Sequence, residues 1–297
     1  MRHVELQVVA PGVHCLGPRG LTQTNIYFVS TGQTWVLVDA GWARDGARIR
    51  QAAAALFGTQ PPSAIVLTHD HPDHEGQALQ LARGWGCPVY LALLEMPIAL
   101  RDFAAMHEMA GPLDRWLVLP LMRLIGRRRR EAAFARSSLR DVACAFDPAT
   151  GVPELPGWTC VPTPGHTPGH VAFFRESDRV LLAGDALVTV RLNSPVALLL
   201  RKAGLSEPPW YFTWSRAESR RSIDTIARLR PNVVAGGHGQ PMAGPATADF
   251  VARFALARGS ATRRSSLWRS RLNRSQTFVP GTVPERLMGR VRTAPNS

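Results

Sequence analysis

Short apolar runs alternate along this chain with amphipathic stretches, a pattern that predicts strands packed under helices. Residues 25–29 and 35–38 are rich in β-branched and aromatic side chains and flank Ser30-Thr31-Gly32-Gln33, the signature of a hairpin with a short loop. The second run carries Asp39 at its end. Residues 43–56, alanine-rich with spaced arginines, predict a helix, and the short apolar run 64–67 predicts a buried strand. A short helix over 77–83 and a strand over 88–91 follow. After a long interruption, strands are expected over 158–161, 170–174 and 180–183, each bounded by glycine, proline or charged residues. Residues 217–229 predict a helix with Ile223, Ile226, Ala227 and Arg230 as its inward stripe, and 232–235 a last strand. The fold class is therefore α/β, in two similar halves.

Three stretches break this rhythm. Between 93 and 156 the sequence turns helical or irregular and holds Trp116, Leu117, Leu119, Leu121, Met122, Leu124 and Ile125. These are too many apolar residues for a solvated loop and too few for a membrane span. An inserted cap over a site, an interfacial anchor aided by Arg127 to Arg130, or an oligomer contact would each account for them, and the cap is the first expectation. Residues 191–214, rich in proline, tryptophan and leucine, are expected to wall a pocket. Beyond 257, serine, threonine and arginine without apolar periodicity predict a basic, flexible tail over 258–297.

Composition narrows the class only slightly. The 297 residues suffice for one large domain, and the start, Met1-Arg2-His3-Val4-Glu5-Leu6, lacks the apolar stretch of a secretory signal, so a cytoplasmic location is expected. Cys15, Cys87, Cys144 and Cys160 are scattered without CxxC spacing, which argues against a disulfide framework or a thiolate metal site. The net charge of +13 would favour nucleic acid if it lay around a site, but the arginines crowd into 127–130 and the tail. Lys202 is the only lysine, a skew that base composition of a genome can produce.

Candidate chemistry sits in His69-Asp70-His71-Pro72-Asp73-His74, directly after the strand at 64–67. Neutral imidazole and carboxylate are donors that zinc and similar divalent ions prefer, and a tight loop can aim His69, His71, Asp73 and His74 together while Asp70 and Pro72 shape the turn. A histidine-rich surface loop would need no distant partners. Partners are present in His166 of Thr163-Pro164-Gly165-His166, Asp185 of Ala183-Gly184-Asp185 and His238 of Gly236-Gly237-His238.

In this order, with Asp39 upstream, the motifs resemble the metallo-β-lactamase superfamily from about residue 8 to 245, with a metal site similar to that of glyoxalase II. The resemblance implies an αββα sandwich of two mixed β-sheets flanked by helices, occupying 1–257 with a helical insertion or lid at 93–156. It also implies two divalent ions, zinc first and iron or manganese as alternatives. His69, His71 and His166 would hold one ion, Asp73, His74 and His238 the other, and Asp185 would bridge them. Asp39 would orient a ligand histidine. His170, at a strand start, is expected to be hydrogen-bonded rather than ligating.

Such a centre implies hydrolysis by a metal-bound hydroxide, with Asp73 steering or accepting its proton. His71 stands where the flavo-diiron branch has glutamate, and the bridging Asp185 is unlike the true β-lactamases. Val188 replaces the tyrosine that quorum-quenching lactonases carry three residues after the bridge. The expected substrate is a small-molecule thioester, lactone or related ester. A phosphodiester-cleaving nuclease, or a membrane-surface or partner-binding protein with a relict site, are the alternatives. Nucleic acid is the weaker partner, and peripheral membrane contact stays open.

Overall fold

Alternation with apolar residues on both faces explains how two sheets come to lie between helices. In β-strand residues Trp35 to Val38, Trp35 and Leu37 point to one apolar cluster, Val36 and Val38 to another, and all four are fully buried. A strand that reads as a continuous apolar run is one covered on both sides. The structure is a computed structural model that describes residues 6–269.

Strands β1 (Leu6–Ala10), β2 (Val13–Arg19), β3 (Thr24–Ser30), β4 (Trp35–Val38), β5 (Ala64–Val66), β6 (Val89–Ala92) and β7 (Ala143–Phe146) form one sheet in that order. Its pairs are antiparallel up to β4 and parallel from β4 to β7. Beyond β8 (Trp158–Pro162), β9 (Val171–Arg175) and β10 (Val180–Gly184), a ribbon of β11 (Val188–Val190) and β12 (Ala203–Ser206) intervenes. Strands β13 (Val233–Gly236) and β14 (Met242–Ala243) then complete a second sheet, ordered β14-β13-β10-β9-β8, in which only β10 and β13 are parallel. The sheets face each other across Val13, Tyr27, Val38 and Val66 on one side and Val171, Phe173, Val180 and Leu182 on the other.

Helix α1 (Gly46–Phe57), the single turn α2 (Pro72–Glu75), and α3 (Ala78–Trp85) follow the first strands, and α1 and α3 cover the outer face of the seven-stranded sheet through Ile49, Ala52, Leu79 and Leu81. Trp35 ties them together, stacked on Phe57 at 4.6 Å and edge-on to Trp85 at 5.5 Å. Each such aromatic pair adds about 1 kcal/mol beyond the area it buries. Between β6 and β7 run α4 (Met96–Ala99), α5 (Phe103–Met109), a π-helical turn Asp114–Val118, α6 (Leu119–Leu124) and α7 (Arg127–Ser137). A short α8 (Pro195–Leu199) lies inside the ribbon, while α9 (Arg216–Leu229) and α10 (Thr247–Arg269) cover the second sheet through Ile223, Ile226, Val251 and Ala255. This is the αββα sandwich.

Beyond the unexpected ribbon β11–β12, helix α8 and strand β14, the structure departs from the sequence reading in several places. Strands β1 and β2 were not expected and widen the first sheet. The interval 93–156 is not wholly an insertion, because β7 pairs in parallel with β6; its Ala-Cys-Ala-Phe composition carries little strand propensity, and the neighbouring strand supplies the ladder. The helical part ends at Ser137. Helix α10 crosses the boundary expected at 257/258 and continues to Arg269, and residues 270–297 of the expected tail lie outside the described residues. Finally, Arg230 is not in the inward stripe of α9: it is the left-handed residue that ends the helix, is exposed, and pairs with Asp249. No described helix is long and apolar enough to cross a membrane. No disulfide joins Cys15, Cys87, Cys144 or Cys160.

Candidate metal centre

Strand β5 runs into Leu67 and Thr68 and delivers the following loop, buried at His69 and Asp70, beside the second sheet's connections. Pro72 opens α2, where its missing N–H costs nothing, and extended His71 stands just before it. Thus His69 and His71 come from the loop, and Asp73 and His74 from the helical turn. His166 arrives from the β8–β9 connection, Asp185 from the residue after β10 and His238 from the loop after β13.

All seven side chains converge. His71 Nδ1 lies 3.1 Å from His69 Nε2 and 2.9 Å from His166 Nε2. On the other side His238 Nε2 is 3.4 Å from Asp73 Oδ2, which is 3.9 Å from His74 Nε2. Asp185 stands between the two groups: Oδ2 is 3.3 Å from His166 Nε2 and 3.2 Å from His238 Nε2, and Oδ1 is 3.4 Å from His74 Nε2. Donors about 2.0–2.1 Å from a shared tetrahedral ion sit roughly 3.3 Å from one another, so these spacings suit a cation. The polar bookkeeping agrees, since His74 Nε2 and Asp185 Oδ1 are buried and face each other without a hydrogen bond. A buried donor set left in that condition is costly. A divalent ion fits here.

The far side of three of the rings, His69, His74 and His238, is held. His74 Nδ1 lies 2.8 Å from Asp39 Oδ2. Thr68 donates its backbone N–H to Asp39 Oδ1 at 2.9 Å and its hydroxyl to the same carboxylate, leaving Thr68 Oγ1 to accept from His69 Nδ1 at 3.0 Å. Asp39 adopts φ 61°, a left-handed conformation that aspartate tolerates better than most residues. His238 Nδ1 donates to the Thr22 carbonyl at 2.9 Å. Each of these bonds leaves Nε2 as the lone-pair nitrogen aimed inward.

His170 is hydrogen-bonded through both ring nitrogens. Its Nε2 accepts the backbone N–H of Asp185 at 2.9 Å and its Nδ1 meets Thr163 Oγ1 at 2.8 Å, so it fixes the loop that carries Asp185. Asn25 was missed by sequence reasoning. Its Nδ2 donates to the carbonyls of Gly236 and Gly239, and Tyr27 Oη donates to Gly236, so β3 of one sheet pins the His238 loop of the other. An asparagine directly before the apolar run Ile26 to Val29 was the available signal. At Gly237 a Cβ would meet Asp185 Oδ1 at 2.2 Å and His74 Cε1 at 2.7 Å, so only glycine lets this backbone approach.

Residues 19–238 match the sequence profile of the metallo-beta-lactamase superfamily. The chain belongs to that superfamily. It is 36% identical over 246 residues to the probable metallo-hydrolase YflN of Bacillus subtilis (strain 168), covering 79% of this chain and 86% of that protein. To the probable metallo-hydrolase YqjP of the same organism it is 25% identical over 229 residues, 73% of this chain and 67% of the relative. Among solved structures, the metallo-beta-lactamase family protein TTHA1429 of Thermus thermophilus superposes with a TM-score of 0.60 at 25% identity, covering 91% and 86% of the two chains. A beta-lactamase domain protein from Burkholderia ambifaria shares the fold, with a TM-score of 0.56 at 22% identity over 90% and 79%.

Electrostatics inside the candidate centre of this superfamily member follow from burial and crowding. Burial, then the neighbouring histidines, hold His69 well below the ordinary imidazole range, and burial and His71 do the same to His166. Both are therefore neutral donors, the form a metal needs. For His74 burial opposes protonation, but Asp39, Asp185 and Asp73 outweigh it and raise the ring well above its usual value. Asp185 is the converse: burial would raise it, yet His238 and His74 hold it well below the carboxylate range.

Beneath the loop lies a buried ion cluster that sequence reasoning also missed. Arg101 reaches Asp70 Oδ2 at 3.1 Å and Glu75 Oε1 at 2.7 Å, and donates to the Ser137 carbonyl at 3.1 Å. Asp70, expected only to shape the turn, is thus a paired interior carboxylate. Glu95 accepts from the backbone N–H of Asp70 and of Gly169 and from Thr167 Oγ1, and so joins the His69 loop to the His166 loop. Burial pushes the Glu95 carboxyl up to about 7.

Proposed function

We propose that this chain is a hydrolase of a thioester, lactone or related ester, working with two divalent ions of which zinc is the first choice. The observation that carries the reading is Asp185, whose carboxylate reaches His166 of one histidine group through Oδ2 and His238 and His74 of the other through Oδ2 and Oδ1. His69, His71 and His166 would hold one ion, and Asp73, His74 and His238 the second. Ions bound there would lower the pKa of coordinated water to about 7 and polarise a carbonyl.

The remaining work falls to the chain. Asp73, with 16% of its side chain exposed, is the candidate ligand carboxylate open to solvent, so its Oδ atoms are placed to hold a proton arriving from water. Asp39 and Thr68 keep His74 and His69 in the required tautomers. Phe212, its ring centroid 6.4 Å from that of His71, presents an apolar wall to an acyl group. The segment around it is tied to the centre, since Trp214 N donates to the His166 carbonyl at 3.0 Å.

Metal content of the purified protein is measured first, followed by turnover of thioester, lactone and phosphodiester substrates with and without chelator. Chelator-sensitive cleavage of an acyl substrate supports the reading. Cleavage of the phosphodiester alone would replace it with the nuclease alternative.

A further inference from the structure

Trp116 and Leu124 expose 79% and 82% of their surface, and Leu117, Leu121 and Ile125 are exposed beside them. Of the apolar residues in this stretch, Leu119 alone belongs to the core. Side chains expected to close over the site therefore stand in solvent. Single exposed leucines are ordinary, but a consecutive cluster of this size marks a contact surface.

A second exposed apolar cluster lies on the segment that follows β11. Val196, Leu199 and Leu200, on and after α8, are exposed, as is Trp210. Both clusters attach to the segment 207–212. Leu113 N donates to the Tyr211 carbonyl at 2.8 Å, while Asn193 Nδ2 donates to the carbonyls of Glu207 and Pro208 and Asn193 Oδ1 accepts the N–H of Trp210. Phe212 of this segment also packs on Gly111, where a Cβ would meet its backbone at 2.3 Å.

Charge selects the occupant. Residues 115–140 contain Arg115, Arg123, Arg127, Arg128, Arg129, Arg130, Arg136 and Arg140 against the single acid Glu131, which pairs with Arg127. Arg201 and Lys202, directly after α8, are exposed. A second copy docking symmetrically on this face would set arginine against arginine. An anionic bilayer satisfies both halves of the surface, with basic residues at the headgroups and tryptophan and leucine inserted below them.

We propose that the segment from Trp116 to Arg130, together with α8, docks this protein onto anionic lipid bilayers. The docked face includes the segment that carries Phe212, so the candidate metal centre opens beside the membrane. Docking does not depend on the hydrolase reading and is tested without turnover.

The full chain is sedimented with vesicles of phosphatidylcholine alone and of phosphatidylcholine mixed with phosphatidylglycerol. Binding is expected to the mixed vesicles and to weaken as salt is raised. The double variants Trp116→Ser/Leu124→Ser and Arg128→Gln/Arg129→Gln should each lower partitioning on the order of tenfold. Leu256→Ser, at an exposed leucine on α10, should leave it unchanged, and all variants should keep the parent's thermal unfolding. Absence of parent binding to the mixed vesicles would overturn the proposal. So would binding that both double variants retain, or a dimer that Trp116→Ser/Leu124→Ser dissociates in a protein that ignores vesicles.

Discussion

Asp39 Oδ2 lies 2.8 Å from His74 Nδ1, and solvent reaches neither side chain. The carboxylate fixes the tautomer of His74 and raises its basicity, and through Thr68 it also orients His69. Asp39→Asn keeps the shape and removes the charge. Metal affinity is expected to fall about 10–100-fold, measured by chelator competition, while the fold is retained. Unchanged affinity would mean that the pair serves folding alone.

Asp185→Ala deletes the carboxylate between the two histidine groups. The variant should bind fewer ions per chain, losing the one near His74 and His238 first, and its hydrolysis should drop by orders of magnitude. Elemental analysis beside an activity assay decides this, and full turnover with both ions retained would contradict the assignment.

His170 gives a pH signature with a definite sign. Its Nε2 accepts a backbone N–H, so the ring must be neutral, and burial pushes it down to about 3. A folded-state value below the unfolded one means that this contribution is full above about 6.5 and is lost as pH falls from there towards 3. In chelator-treated protein, urea titrations should show His170→Gln with a shallower slope, by about 0.7 kcal/mol per pH unit near pH 6.5 and approaching about 1.4 near pH 5. Equal slopes would show that His170 is not the group being protonated.

Arg101→Ala would strand Asp70 and Glu75 in the interior without their shared cation. Removing one partner of a buried ion pair costs about 3–5 kcal/mol, a loss that denaturant unfolding reads directly. Arg101→Lys should recover part of it, because one ammonium cannot reproduce the fork that meets two carboxylates and a carbonyl. A loss below about 1 kcal/mol would place the pair among weak surface bridges.

Ending the chain after Arg258 tests the domain boundary. The cut keeps Val251 and Ala255, the residues of α10 that pack on the second sheet. Cooperative unfolding and metal binding are expected to persist. A broadened or absent transition would move the boundary into the rest of α10.

Legible in the sequence alone were the seven candidate ligands and most of the strands that present them. Histidine and aspartate at fixed short spacings announce their chemistry locally, and a doubly covered strand such as β4 or β10 is apolar at every position. The tertiary structure decided what those residues rest on. Asp39 finds Thr68 and His74, Arg101 finds Asp70 and Glu75, and Asn25 finds Gly236 only after chain segments far apart in sequence meet, and no local pattern encodes such partners. Pairing likewise made a strand of β7, whose own residues barely favour one. Whether Trp116 and Leu124 are covered was also beyond the sequence. Hydrophobicity states that a side chain is stabilised by leaving water, while the neighbours that would remove it from water are set by how the other elements pack.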